Sequence, residues 1–140
     1  MDESKQPGIR IESIFLGNSN FSRKPFVPKD IKLELKISKE DDLSEDKKTL
    51  ITNFILEINT PNDPVYFICN YVGIFKTIES EENMSLDAFR LNNAPAILYP
   101  YLREEFQNRI SKASLDHIVP ILPPLNLNVA LQKKEEIKSS

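Results

Sequence analysis

Cysteine, histidine, glycine and tryptophan are scarce in this chain of 140 residues, which has one Cys, one His, three Gly and no Trp. Cys69 has no partner for an internal disulfide, so a reducing compartment is indicated. Cys69 and His117 are too few for a zinc site built from cysteine and histidine. Gly8, Gly17 and Gly73 are scattered along the chain, so no glycine-rich loop is available to hold a phosphate.

A surplus of positive charge is also missing. The net charge is −3 and the pI is about 5.3, which argues against nucleic acid as the main partner. No segment reaches the roughly 18 apolar residues that span a membrane. The N-terminus, MDESKQPGIR, has no apolar core typical of a signal peptide. We therefore expect a cytoplasmic protein without membrane insertion, folded as one domain over residues 1–140 with flexible tails at 1–8 and 133–140.

Catalytic motifs are absent as well: the sequence has no P-loop, dinucleotide fingerprint, zincin motif or nucleophile elbow. A Ser or Cys nucleophile would need His117 as its base, and this residue beside Asp116 is more typical of a surface or interface histidine. Acidic clusters at 40–42 and 79–82 are typical of solvated turns and lack the spacing of a calcium loop. We expect no enzymatic activity, no metal and no cofactor; a closed pocket lined by His117 and carboxylates would reopen the question.

Alternating apolar residues predict four strands. The first carries a bulge near Ser13 and ends at the polar segment 17–20. Residues 21–28 are predicted to form a crossover loop because they contain two prolines. Charged residues 39–48 and the segment 59–64 predict two turns. The fourth strand is apolar on both faces, so we expect a helix or a neighbouring subunit on each side. The predicted strands are Ile9–Leu16, Ile31–Ser38, Leu50–Ile58 and Val65–Phe75.

The pattern after residue 79 is helical. Ser85 is predicted to cap a short helix that ends near Asn92, and a second helix is predicted to open at residues 93–95. Pro100 is expected to kink this second helix. Residues 116–124 are predicted to form an extended connector and 128–138 a last short helix. Four strands followed by two or three helices predict an α+β fold with an antiparallel sheet.

One helical segment resembles a known family. Residues 95–104 read PAILYPYLRE, which closely resembles the P-x-I-L-F-P-Y-A-R-E segment of SecB-type protein-export chaperones. The G-I-F of that family is matched at residues 73–75, and its L-N-L connector is matched at 125–127. The matches occur in the family's order and at similar separations, and the resemblance covers residues 9–132.

The resemblance implies a SecB-like subunit that pairs through its first strand and first helix and assembles as a dimer of dimers, a homotetramer. It also implies a holdase that binds unfolded precursor polypeptides for Sec-dependent export without ATP. The client groove would lie between the crossover loop, the helical face of the sheet and the second helix with its connector. The residues implied are Phe21, Phe26, Val27, Leu33, Leu35, Leu98, Leu102, Ile121, Leu122 and Leu125.

Alternatives exist for these residues and for the partner. Leu33, Leu35 and Leu102 are more typical of a plain core than of a client groove. The loop residues Phe26, Val27 and Ile121 are equally typical of either, and Tyr99 and Tyr101 are more typical of packing or subunit contacts. The family docks its motor SecA partly through acidic side chains, whereas the corresponding positions here are Asn18 and Ser22. A SecB-like chaperone for one partner, such as the antitoxin of a toxin–antitoxin system, is therefore an alternative. A structural oligomer that binds no client is another.

Overall fold

The computed structural model of the chain describes residues 8–77 and 85–119. It contains four strands and one helix in these ranges, and all neighbouring strands are antiparallel in the order β1-β4-β3-β2. The prediction of an α+β fold with a four-stranded antiparallel sheet is confirmed. The predicted helix at 128–138 lies outside the described residues. The elements are β1 (Ile9–Arg23), β2 (Leu35–Leu43), β3 (Thr49–Ile58), β4 (Val65–Thr77) and α1 (Leu86–Lys112).

Helix α1 covers one face of the sheet. Every second residue of β3 and β4 is buried on this face, as the period of two predicts. The main cluster combines Phe67 of β4 with Leu98, Leu102 and Phe106 of α1, and the rings of Phe67 and Phe106 lie 5.2 Å apart. The described residues cover β4 on one face only, where α1 packs on it. The prediction that both faces of β4 are covered is therefore confirmed for the helix face only.

Strand β1 is longer than its sequence pattern predicts. The prediction of a bulge near Ser13 is confirmed, since the register shifts between Ile11 and Ser13. The predicted end at Gly17 is wrong, because a second register shift between Leu16 and Asn18 absorbs the glycine and pairing with β4 continues. Phe21 therefore belongs to the strand, and the crossover loop begins at residue 24.

Strand β2 begins and ends later than predicted. Residues 31–34 precede the strand, and pairing starts where Leu35 faces Ile58. The charged segment predicted as a turn at 39–48 instead continues the strand to Leu43, because Lys39 and Asp41 neutralise each other on the helix side.

Buried Asn59 ends β3 with its backbone in the left-handed region (φ 63°). Its side chain accepts a hydrogen bond from Glu34 N–H at 2.8 Å and donates one to the Val65 carbonyl at 2.9 Å.

The two predicted helices are one. Ser85 caps α1 as predicted, and its side chain accepts a hydrogen bond from Ala88 N–H at 3.1 Å. The predicted break at residues 93–95 is wrong: Pro95 and Pro100 both lie inside the helix. Each proline removes one N–H, and burial of the Leu98–Ile110 stripe against the sheet outweighs that loss.

Turns follow α1 where an extended connector was predicted. Val119 N–H and Ile118 N–H both bond the Leu115 carbonyl, at 2.8 and 2.9 Å. Leu115 and Val119 are buried and join the main cluster. The prediction is therefore wrong for residues 116–119, and its remainder, residues 120–124, lies outside the described residues.

Candidate functional site

Phe26 is the most exposed large apolar side chain of the described residues, with 77% of its surface open to solvent. Its neighbour Val27 is buried in the main cluster, which fixes the backbone on which Phe26 stands. A phenylalanine ring that stands open to water on a backbone held in this way is available for contact with a partner.

Arg23 holds the loop that carries Phe26. Its guanidinium donates to three main-chain carbonyls: Ala113 at 2.6 Å, Lys24 at 3.0 Å and Pro25 at 3.1 Å. Lys24 N–H also bonds the Pro64 carbonyl at 2.9 Å. The fork of Arg23 thus ties the crossover loop to the end of α1, because planar guanidinium geometry matches several carbonyls at once.

The other residues that the resemblance nominates lie deeper. Phe21 packs on Phe67 with ring centroids 6.4 Å apart. Leu33 and Leu35 are half-buried against the main cluster, and Leu98 and Leu102 are fully buried. Ile121, Leu122 and Leu125 lie outside the described residues. The structure brings the described members together around one cluster but opens only Phe26 fully, and a role of the set in polypeptide binding stays a prediction.

A second apolar surface follows the edge formed by β1. Ile11, Leu16 and Tyr101 on the helix side of this edge each expose between 40% and 48% of their surface, and Phe15, which pairs with Val72, is 45% exposed on the opposite face of the sheet. Leu16 pairs with Tyr71, and the ring of Tyr71 lies 5.4 Å from that of Tyr101 on α1. The three β1 residues were not nominated from the sequence, because their alternation predicted a half-buried strand.

A polar contact interrupts this edge. Ser19 Oγ donates to Glu105 Oε2 at 2.5 Å, and Arg109 Nε donates to the same oxygen at 3.2 Å. Cys69 lies nearby, and its burial raises the pKa of the thiol to about 12, with the Glu105 charge adding to the rise. Burial first and then Glu105 also raise the pKa of Tyr71. A thiol kept protonated in this way is a packing group rather than a nucleophile.

The face of the sheet opposite α1 carries a mixture of aliphatic and amide side chains. Register and alternation place Ile51, Val72 and Ile74 together there. Asn70 Nδ2 donates to Asn53 Oδ1 at 2.8 Å in the middle of this face. Asn18 and Ser22 pair with Asn70 and Tyr66, and none of these four side chains is acidic or basic.

Lys39 and Asp41 form a buried ion pair between β2 and the first turns of α1. Their side chains are only 11% and 12% exposed, and Lys39 Nζ lies 2.8 Å from Asp41 Oδ2. Lys39 Nζ also donates to the Arg90 carbonyl at 2.5 Å. Thr52 Oγ1 donates to the other carboxylate oxygen of Asp41 at 3.0 Å, and the Arg90 guanidinium lies 3.5 Å from Asp41.

Metal-ligating side chains are dispersed over the part of the chain that the structure describes. It has no group of three or more His, Cys, Asp and Glu side chains that could hold a metal ion. His117 is exposed, and its nearest carboxylate, that of Asp116, lies 3.9 Å away. The helix within the described ranges lacks the continuous apolar length needed to cross a bilayer.

Comparison with known proteins gives a fold but no family. No protein-family model and no curated protein matches the chain. Among solved structures, a SecB-like chaperone of Mycobacterium tuberculosis in complex with a ChAD peptide from the HigA1 antitoxin matches with a TM-score of 0.64 and 17% identity, covering 82% of this chain and 88% of that chain. A protein of unknown function from Streptococcus agalactiae matches with a TM-score of 0.45 and 13% identity, covering 83% and 97%. The chain has the fold of a SecB-like chaperone.

Proposed function

We propose that this protein is a molecular chaperone that binds non-native polypeptides through exposed apolar surfaces, without ATP and in the cytoplasm. The observation that carries the proposal is Phe26, which is 77% exposed on a loop fixed by buried Val27 and by Arg23. The SecB-like fold supports the proposal, because it is the fold of a chaperone that was solved with a bound peptide.

The energetics require several binding sites. Burial of one large apolar side chain yields roughly 1.5–3 kcal/mol, whereas ordering an unfolded segment costs about 2–5 kcal/mol. One Phe26 therefore binds weakly, and several linked copies are needed for useful affinity. We propose a homotetramer that supplies them, paired through β1 and α1, where Ile11, Leu16 and Tyr101 are exposed.

The proposal leaves two candidate sets of polypeptides that the protein would bind. The first is the broad range of an export chaperone, namely unfolded precursors for Sec-dependent export; uncharged Asn18 and Ser22 give no support for SecA docking. The second is a single dedicated partner such as an antitoxin. The antitoxin peptide bound to the Mycobacterium tuberculosis neighbour favours this second candidate.

Binding of a permanently unfolded probe tests the proposal. Reduced, carboxymethylated α-lactalbumin is expected to bind, and Phe26→Ser is expected to weaken its affinity at least fivefold without changing the free energy of unfolding. Ile51→Thr is the matched control, because Ile51 is an exposed apolar residue on the face of the sheet opposite α1. Light scattering measures the oligomeric state in the same samples.

The outcomes separate the candidates. Binding of many unfolded chains with delayed refolding supports the broad holdase, whereas binding confined to one antitoxin peptide supports the dedicated chaperone. A tetramer that binds neither is a structural oligomer and contradicts the proposed function. A monomer that leaves refolding of a slow-folding client unchanged contradicts both the assembly and the activity.

A further inference from the structure

We propose that the first turns of α1, residues 86–94, form a lid that opens as a unit about Pro95 and uncovers a second apolar binding surface. This inference rests on the proposed chaperone function and adds a regulated site to it. Lys39 and Asp41 of β2 hold the lid closed.

The lid has a core of its own. Leu86, Phe89 and Ala94 of α1 pack on Leu50 and Phe75 of the sheet, and this cluster is separate from the main one. The rings of Phe75 and Phe89 meet edge-on at 5.0 Å. Beyond Pro95, Ile97 still touches this cluster, whereas the Leu98–Ile110 stripe packs on the main one, so residues 86–94 can leave the sheet without disturbing that stripe.

The border between the two clusters has a weak point in the helix. Pro95 has no N–H, so the Leu91 carbonyl loses its partner within the helix. Helices bend where such a hydrogen bond is missing, which places the hinge of the lid at this border.

A charged latch secures the lid. Lys39 donates to the carbonyl of Arg90, a main-chain group of the lid, and to Asp41. The guanidinium of Arg90 also forms an ion pair with Asp41, at 3.5 Å. These contacts attach the lid to β2 through the largely buried side chains of Lys39 and Asp41, so removing Lys39 selectively weakens attachment of residues 86–94.

Opening exposes apolar surface that a client can bury. The floor left behind contains Leu50 and Phe75, both fully buried when the lid is closed, and the underside of the lid carries Leu86 and Phe89. A site that is open only part of the time binds with an affinity reduced by the open fraction. Changes that open the lid are therefore expected to strengthen client binding.

Native-state hydrogen exchange combined with probe binding tests this proposal. In the wild type, amides of 89–94 are expected to exchange at least tenfold faster than those of 102–110. Lys39→Met and Asp41→Asn are expected to accelerate exchange in 89–94 about tenfold, to leave 102–110 unchanged and to strengthen binding of reduced, carboxymethylated α-lactalbumin at least threefold. Pro95→Ala restores the N–H and is expected to shift both measurements in the opposite direction.

Matched variants give the controls. Lys36→Met changes an exposed lysine of the same strand, and Pro100→Ala changes an exposed proline of the same helix; neither is expected to alter exchange in 89–94. If 89–94 and 102–110 exchange through one common opening, the lid does not exist. If the lid opens but the latch variants bind the probe with unchanged affinity, its coupling to clients is wrong. If the wild type does not bind the probe, the chaperone proposal fails. Hydrogen exchange in 89–94 and 102–110 then decides by itself whether the lid opens as a separate unit.

Discussion

Ser19 and Glu105, 86 positions apart, join β1 to α1 through a side-chain hydrogen bond of 2.5 Å. Glu105 also accepts from Arg109 one turn further along the helix. Since β1 lies at the end of the sheet and pairs with β4 alone among the described strands, this bond is an important polar attachment between the strand and the helix.

Ser19→Ala is expected to lower the free energy of unfolding by about 1–2 kcal/mol, because it removes a hydrogen bond to a charged group that is mostly buried. Urea unfolding at pH 7 measures the change. Ser22→Ala is the control, since Ser22 is exposed on the same strand and its loss is expected to cost less than about 0.5 kcal/mol. Equal effects of the two substitutions would contradict the assigned role.

Arg23→Lys is expected to weaken binding of the unfolded probe threefold to tenfold. Lysine keeps the charge but cannot donate to the carbonyls of Lys24, Pro25 and Ala113 together, so the loop that presents Phe26 loses its fixed position. Fluorescence anisotropy with the labelled probe measures the affinity. Unchanged affinity together with intact folding would show that Phe26 does not need this support.

Gly73→Ala is expected to destabilise the protein by about 1–3 kcal/mol, since a methyl group there overlaps the Phe75 ring and approaches Leu98. At Gly17 an added Cβ meets only the side chain of Asn70, which can rotate away at the cost of its hydrogen bond to Asn53. Gly17→Ala is therefore expected to cost less than Gly73→Ala. Thermal unfolding of both variants gives the order, and the reverse order would contradict the packing described here.

Cys69 is expected to make stability fall at alkaline pH. Its thiol pKa rises from an ordinary value of 9.0 to about 12 by burial, so between these values the unfolded chain ionises while the folded chain does not, and unfolding is favoured. Below pH 8 the thiol has no effect on the pH dependence. The loss of unfolding free energy between pH 8 and 10.5 is expected to be smaller for Cys69→Ala than for the wild type, measured by urea unfolding; equal losses would contradict the shift.

Much of the sheet could be predicted from alternation alone. Strands β3 and β4 bury every second residue on the helix face, and a period of two survives along both strands. Strand β1 could not be predicted past Gly17, because pairing with β4 through a bulge overrides the local turn signal. In β2, the charged residues Lys39 and Asp41 are typical of a solvated turn in the sequence. Only the structure shows that they form an ion pair on the inner face of the sheet, which allows the strand to continue.

Helix α1 and the surface show what a single sequence leaves open. Pro95 predicts a helix boundary, yet packing on both sides of it keeps the helix continuous. Phe26 was nominated together with Val27, and nothing in the sequence tells which of the two neighbours points outward. That distinction depends on how Arg23 and the end of α1 fix the loop in three dimensions.

The two register shifts in β1 have a consequence for solubility. A long, regular edge strand with exposed apolar side chains is a template on which further chains can add one after another, as in a growing fibril. The extra residues at Glu12 and Gly17 divide β1 into short regular segments. A strand of another chain therefore cannot pair with β1 along its whole length. In this way the bulges protect the exposed edge of β1 against fibril-like addition of further chains.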